Sequence, residues 1–248
     1  GPAVVARAPA AAALALAFWL LAPPAGLAAL LALGVIHWGL DDLESPPRGR
    51  AHTAWLALAR GTPPVALPCL FHPDDVATIF NALVFAETFT PESVRAAAGI
   101  AVIAAAPALL AQTWRLATRP TGRTHLPLML AELTALTLWF AVAPPLLAFT
   151  IYFCCWHSLR HAMRSAADLD ATNPARAARR YLQAVAAPTL ATIAIAALAF
   201  SLIPAAQTFD ADAARIVFIG LFALTIPHVT LEWCTRSEER RVGKECPS

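Results

Sequence analysis

Apolar runs of about twenty residues recur along the whole chain, and that one feature decides most of what it can fold into. A helix rising about 1.5 Å per residue needs roughly 20 apolar residues to cross the hydrocarbon core of a bilayer. Lipid offers no partner for backbone N–H and C=O groups, so such runs satisfy them internally, as helices. The runs predict about eight helical segments, near 4–22, 25–40, 73–90, 93–115, 126–145, 146–165, 180–203 and 213–233. Pro23-Pro24 and Pro144-Pro145 separate two of the pairs, because proline removes a donor and disfavours helix before it. Pro63, Pro64 and Pro68 make residues 60–72 a re-entrant or interfacial stretch.

Composition points the same way. Charged residues make up 14% of the chain and hydrophobic ones 58%, against roughly 25% charged in a soluble domain. The expected class is all-α: a polytopic transmembrane helix bundle in the cell membrane. Residues 1–233 form one domain, followed by a polar tail at 234–248. The tail reads equally as a solvated end or as non-native sequence. A formal net charge of +2, with no long basic run, excludes a nucleic-acid partner. The five cysteines (Cys69, Cys154, Cys155, Cys234 and Cys246) show no paired spacing, and no disulfide framework is expected.

Charge also sets an orientation. With eight crossings, three arginine groups fall on one side together with both termini. They are Arg48, Arg50 and Arg60; Arg115, Arg119 and Arg123; and Arg164, Arg176, Arg179 and Arg180. The opposite connections hold mainly acids, including Glu87, Glu92, Asp210 and Asp212. Positive residues stay cytoplasmic, so both termini are expected inside.

Ionisable groups inside spanning helices are costly unless paired or placed in a cavity, which marks each one as a functional candidate. His37 closes the second segment, His157 and His161 lie in the sixth, His228 in the eighth, and Glu132 in the fifth. His157 and His161 are four residues apart, so both imidazoles leave one helical face about a turn apart. That spacing suits two ligands on one metal, completed from facing helices. A nitrogen set without thiolate suits iron, copper or zinc better than magnesium or calcium. From the residues alone, axial haem ligation, a proton path and interhelical packing stand beside the metal reading. Arg160 lies round the helix from the two histidines, where a carboxylate such as Glu132 is a natural partner. His52, His72 and His125 sit beside prolines and charges and read as solvated or capping residues.

Taken together, these motifs resemble the Brp/Blh family of membrane β-carotene 15,15′-dioxygenases. The resemblance rests first on His37-Trp38-Gly39 followed by Asp42, and on Glu132 ahead of Pro144-Pro145. It continues through Tyr152-Phe153 into His157-Ser158-Leu159-Arg160-His161, and through Ile216–Leu221 into Pro227-His228. It covers nearly the whole chain to about residue 233. The resemblance implies ferrous iron held by His37, His157 and His161. A further ligand belongs to a His-Gly motif on an earlier helix, which does not occur before His37, so the chain is expected to have lost about one N-terminal helix. His228 matches a family histidine that is a fourth ligand, a hydrogen-bond partner or a substrate contact. Asp42 and Glu132 are the candidate partners for imidazole N–H groups. Trp38, Tyr152, Phe153 and Trp156 either line a path for the polyene or simply pack.

The implied reaction is cleavage of the central double bond of β-carotene by O₂, giving two molecules of retinal. Both oxygen atoms enter product, so no external electron donor is required. The bilayer delivers the substrate, and a retinal-binding rhodopsin is the implied functional partner. Two other classes compete. A di-iron membrane desaturase or hydroxylase needs about eight histidines in several clusters, whereas this chain has seven and one cluster. A transporter or proton relay using the histidines and Glu132 predicts ion flux without bound metal.

Overall fold

The computed structural model describes residues 2–41, 50–118, 122–170, 172–202 and 209–245. All of the regular structure among them is helical. We label the nine helices α1 (Pro2–Leu21), α2 (Pro23–Asp41), α3 (Arg50–Phe71), α4 (Pro73–Val84), α5 (Pro91–Thr118), α6 (Gly122–Val142), α7 (residues 145–169), α8 (Pro174–Leu202) and α9 (Phe209–Glu245). Among the described residues, five stretches are long and apolar enough to cross a membrane: Pro23–Asp41, Pro91–Thr118, His125–Val142, Pro174–Ser201 and Ala211–Thr230. The all-α membrane class read from the apolar runs is the class observed.

One helix was not expected. Of residues 60–72, read above as re-entrant or interfacial on account of their prolines, all but His72 belong to α3, which continues as a helix to Phe71 with Pro63, Pro64 and Pro68 inside it. The reason is packing. Leu56, Ala57, Ala59, Thr62, Ala66 and Cys69 of α3 are all buried. The helix contacts α5, α6 and α7. A helix held on several sides tolerates the carbonyls that proline frees, because neighbouring groups enclose them. The expected segment at 73–90 shortens correspondingly to the 12 residues of α4.

The chain divides into two compact units, one of residues 31–81 and 87–194, the other of residues 1–30, 82–86 and 195–248. In the second unit α1 packs on α9, with Trp19 fully buried against Phe222 at 5.2 Å between ring centroids. The carbonyls that end α4 are closed there by side chains. Trp19 Nε1 donates to Leu83 O at 3.3 Å, and Arg215 Nε donates to Ala82 O at 2.7 Å.

The first unit holds the centre. Its helices approach closely because two glycines oppose backbone across one contact. A Cβ on Gly39 of α2 would meet the Ala57 carbonyl of α3, and a Cβ on Gly61 of α3 would meet the Val35 carbonyl of α2. Ala57 and Gly61 are four residues apart, as are Val35 and Gly39, so one stripe of each helix makes the contact, with a glycine in each. Between lipid-embedded helices hydrophobicity gives no net drive, and small residues win by letting backbones approach. At the corner between α6 and α7, Pro144 adopts an extended ψ of 142° and Pro145 opens the new helix, where its missing N–H costs nothing. Trp139 Nε1 donates to Ala148 O across that corner, and His72 Nε2 bonds Phe140 O at 3.0 Å.

Candidate metal centre

The centre is built from two pairs of residues, each spaced by four along a helix. α2 presents His37 and Asp41; α7 presents His157 and His161. At that spacing both members of a pair leave the same face. The ring centroids of His37 and His157 lie 5.5 Å apart, and His161 lies 6.3 Å from each of them. The potential ligand atoms of His37, Asp41 and His157 all fall within 4.8 Å of one another. His161 Nδ1 and Asp41 Oδ2 are 3.1 Å apart. Asp41 is 7% exposed and His37 9%, so this acid and this imidazole are both withdrawn from the surface. The α7 pair is only half-buried, which leaves the centre approachable from one side.

α7 is not uniform. Residues Tyr152–His157 form a π-helical turn, with the Ser158 N–H bonded to the Phe153 carbonyl five residues back. The turn has a geometric consequence. In an α-helix, four residues advance about 400°, so a stripe at that spacing drifts by about 40° per step. A π-turn rotates less per residue and pulls the stripe back. Phe149, Phe153, His157 and His161 accordingly form one column of rings at successive four-residue steps. Their interplanar angles are 12°, 29° and 23°. Trp38 of α2 lies against this column, at 5.9 Å from Phe149 and 5.8 Å from His157. Beneath the histidines, Trp38, Phe140, Ala143, Ala148 and Tyr152 make a buried apolar layer.

A second face of α7 carries the residue that precedes each histidine. Arg160 Nη1 donates to Glu132 Oε1 at 2.8 Å, and Trp156 Nε1 donates to the same oxygen at 3.2 Å. The Arg160 guanidinium lies over the Trp156 ring at 5.5 Å, a favourable stack. On its other side Glu132 meets Arg60 of α3, Nη1 to Oε2 at 3.8 Å, while Arg60 Nε donates to Gln112. One carboxylate thus serves two guanidiniums in the midst of apolar helices. Removing it takes the carboxylate partner from both. We expect Glu132→Ala to cost about 2–3 kcal/mol, below the roughly 3–5 for a fully buried pair because Arg160 is 35% exposed. The check is the thermal midpoint of the detergent-solubilised protein.

The three histidines expected to share a metal therefore come together, and the pairing of Arg160 with Glu132 is as read from the sequence. Asp41 is a carboxylate that meets an imidazole, His161, while Glu132 meets two arginines and a tryptophan. Asp42, named as a partner above, lies outside the described residues. His228 lies on α9, in the other unit, and is exposed. Trp38 and Tyr152 are buried, at 8% and 6% exposure, and Trp156 donates to Glu132. Sequence reasoning missed Asp41, although the four-residue spacing applied to His157 and His161 holds equally for His37 and Asp41. It also missed Arg60, which was assigned to a connection.

Two imidazoles and a carboxylate with convergent ligand atoms, a third imidazole beside them and no thiolate, fit a first-row transition metal. A family model described as beta-carotene 15,15'-dioxygenase matches residues 8–234. The chain is also 31% identical over 252 residues to the "Probable beta-carotene 15,15'-dioxygenase Blh" of Halobacterium salinarum. That match covers 89% of this chain and 70% of the relative. No solved structure matches.

Proposed function

This chain belongs to the β-carotene 15,15′-dioxygenase family, and we propose that it cleaves β-carotene at its central double bond with iron held by His37, His157 and His161. The observation that carries the metal reading is the convergence of His37, His157 and Asp41, whose potential ligand atoms lie within 4.8 Å of one another, with His161 beside them against Asp41 above an apolar layer. When bound, ferrous iron supplies a centre for activating O₂. The balance needs nothing further: one C=C and the O–O bond break, two C=O bonds form, and oxygen is reduced as the two carbons are oxidised.

The protein's own residues do the rest. The half-buried faces of His157 and His161 leave an approach for substrate, while the layer of Trp38, Phe140 and Tyr152 excludes water behind them. A polyene dissolved in the bilayer reaches such a face without crossing water. Glu132 acts as a positioning residue, fixing through Arg160 and Trp156 the rotation of α7 that presents its histidines. The product links the enzyme to a retinal-binding rhodopsin.

Orientation belongs to the same proposal. α4, with 12 residues, is too short to cross. Taking α1, α3 and α7 as crossings beside the five long apolar stretches gives eight, with the arginine-rich connections and both termini on the cytoplasmic side. Arg60 then sits inside the membrane, where Glu132 and Gln112 meet it.

Expression in cells that accumulate β-carotene tests the activity. Loss of colour with accumulation of retinal is the expected result. Persistence of colour beside well-folded, iron-replete protein would contradict it.

A further inference from the structure

Resting on the metal reading above, we propose that Asp41 is the positioning residue of the centre: it holds the Nδ1–H of His161 and so aims Nε2 of that ring at the metal. Asp41 Oδ2 stands 3.1 Å from His161 Nδ1. A carboxylate offers only acceptors, so the imidazole nitrogen is the donor and carries the hydrogen. The remaining ring nitrogen is then the one with a lone pair for a metal. A carboxylate behind a ligating histidine fixes both the tautomer and the ring's orientation, and it raises the basicity of the ligand.

The carboxylate is itself held. Arg164 Nη1 donates to the backbone carbonyl of Asp41 and lies 3.9 Å from Asp41 Oδ1. A guanidinium at this point also suits the negative end of α2. His157, His161 and Arg164 follow one another by four and three residues along α7, and His37 and Asp41 by four along α2. One helix face therefore lies against another, and Arg164, Asp41 and His161 form a single chain of contacts leading to the centre. Glu132 cannot serve here, because its oxygens are committed to Arg160, Trp156 and Arg60.

The test uses the detergent-purified chain with Co(II) alone as the probe, read by visible absorption and by the hyperfine-shifted N–H proton resonances of ligating imidazoles. The unaltered chain taking up no Co(II) would defeat the metal reading itself, separately from this proposal. Given uptake, Asp41→Asn is expected to fold and to bind Co(II) roughly 10- to 100-fold more weakly. Its d–d absorption stays unchanged, because no ligand is lost, and one imidazole N–H resonance broadens through exchange with water. Affinity within about twofold of the parent, with every N–H resonance retained, overturns the proposal. So does a changed d–d spectrum, which would make Asp41 a direct ligand. Arg164→Gln leaves Asp41 in place but loosens it, and gives the same broadening with a smaller loss of affinity. An unchanged resonance in that variant overturns the proposal even if Asp41→Asn fails to fold.

Discussion

Replacing His157 with alanine is expected to abolish retinal formation and to lower metal affinity by more than about 100-fold. Losing a hydrogen-bond partner behind a ligand typically costs 10- to 100-fold, and losing the ligand itself costs more. His157 stands 5.5 Å from His37 and 6.3 Å from His161, ring to ring, so no other described imidazole fills its place. Metal content by mass spectrometry and retinal by chromatography check this on protein whose helix content is unchanged. His72 is the control. It bonds the Phe140 carbonyl at 3.0 Å, and its removal is expected to cost about 1 kcal/mol of stability while leaving metal content intact.

Substituting Gly61 with leucine is expected to do comparable damage from outside the centre. Ordinary overpacking of a core costs about 1–3 kcal/mol, but here the atom in the way is the Val35 backbone, which has no rotamer to change. α2 and α3 must separate, and His37 and Asp41 move with α2. We expect loss of both the folded fraction and the metal. Gly39→Leu acts in the same way through the Ala57 carbonyl. Gly99 meets nothing within 4 Å, so Gly99→Ala is expected to be neutral or to stabilise α5 by up to about 1 kcal/mol. Size-exclusion profiles and bound metal separate these cases.

The histidines were legible because imidazoles are rare in apolar runs and because the spacing of His157 and His161 admits few geometries. Asp41 was not, since it stands next to Asp42 at the end of a helix, where acids normally read as solvated. The π-turn in α7 carries no residue signature: Tyr-Phe-Cys-Cys-Trp-His reads as plain helix, and only the aligned column of Phe149, Phe153, His157 and His161 explains its use. α3 was hidden by three prolines, each a sound local reason to end a helix. Burial of Ala59, Ala66 and their neighbours, a property of the assembled helices, overrode that local preference. Arg60 was hidden with it, because a cation placed in a connection needs no partner, whereas one inside a packed helix needs Glu132.

The most direct measurement strips the purified chain of metal with a chelator and then titrates ferrous iron into it in the presence of β-carotene and O₂. Retinal formation is expected to be absent at the start, to rise with added iron, and to level off at one iron per chain. The His157→Ala protein stays inactive throughout. Retinal formed at full rate by the stripped protein, or by His157→Ala, would contradict the assignment of iron to this histidine cluster.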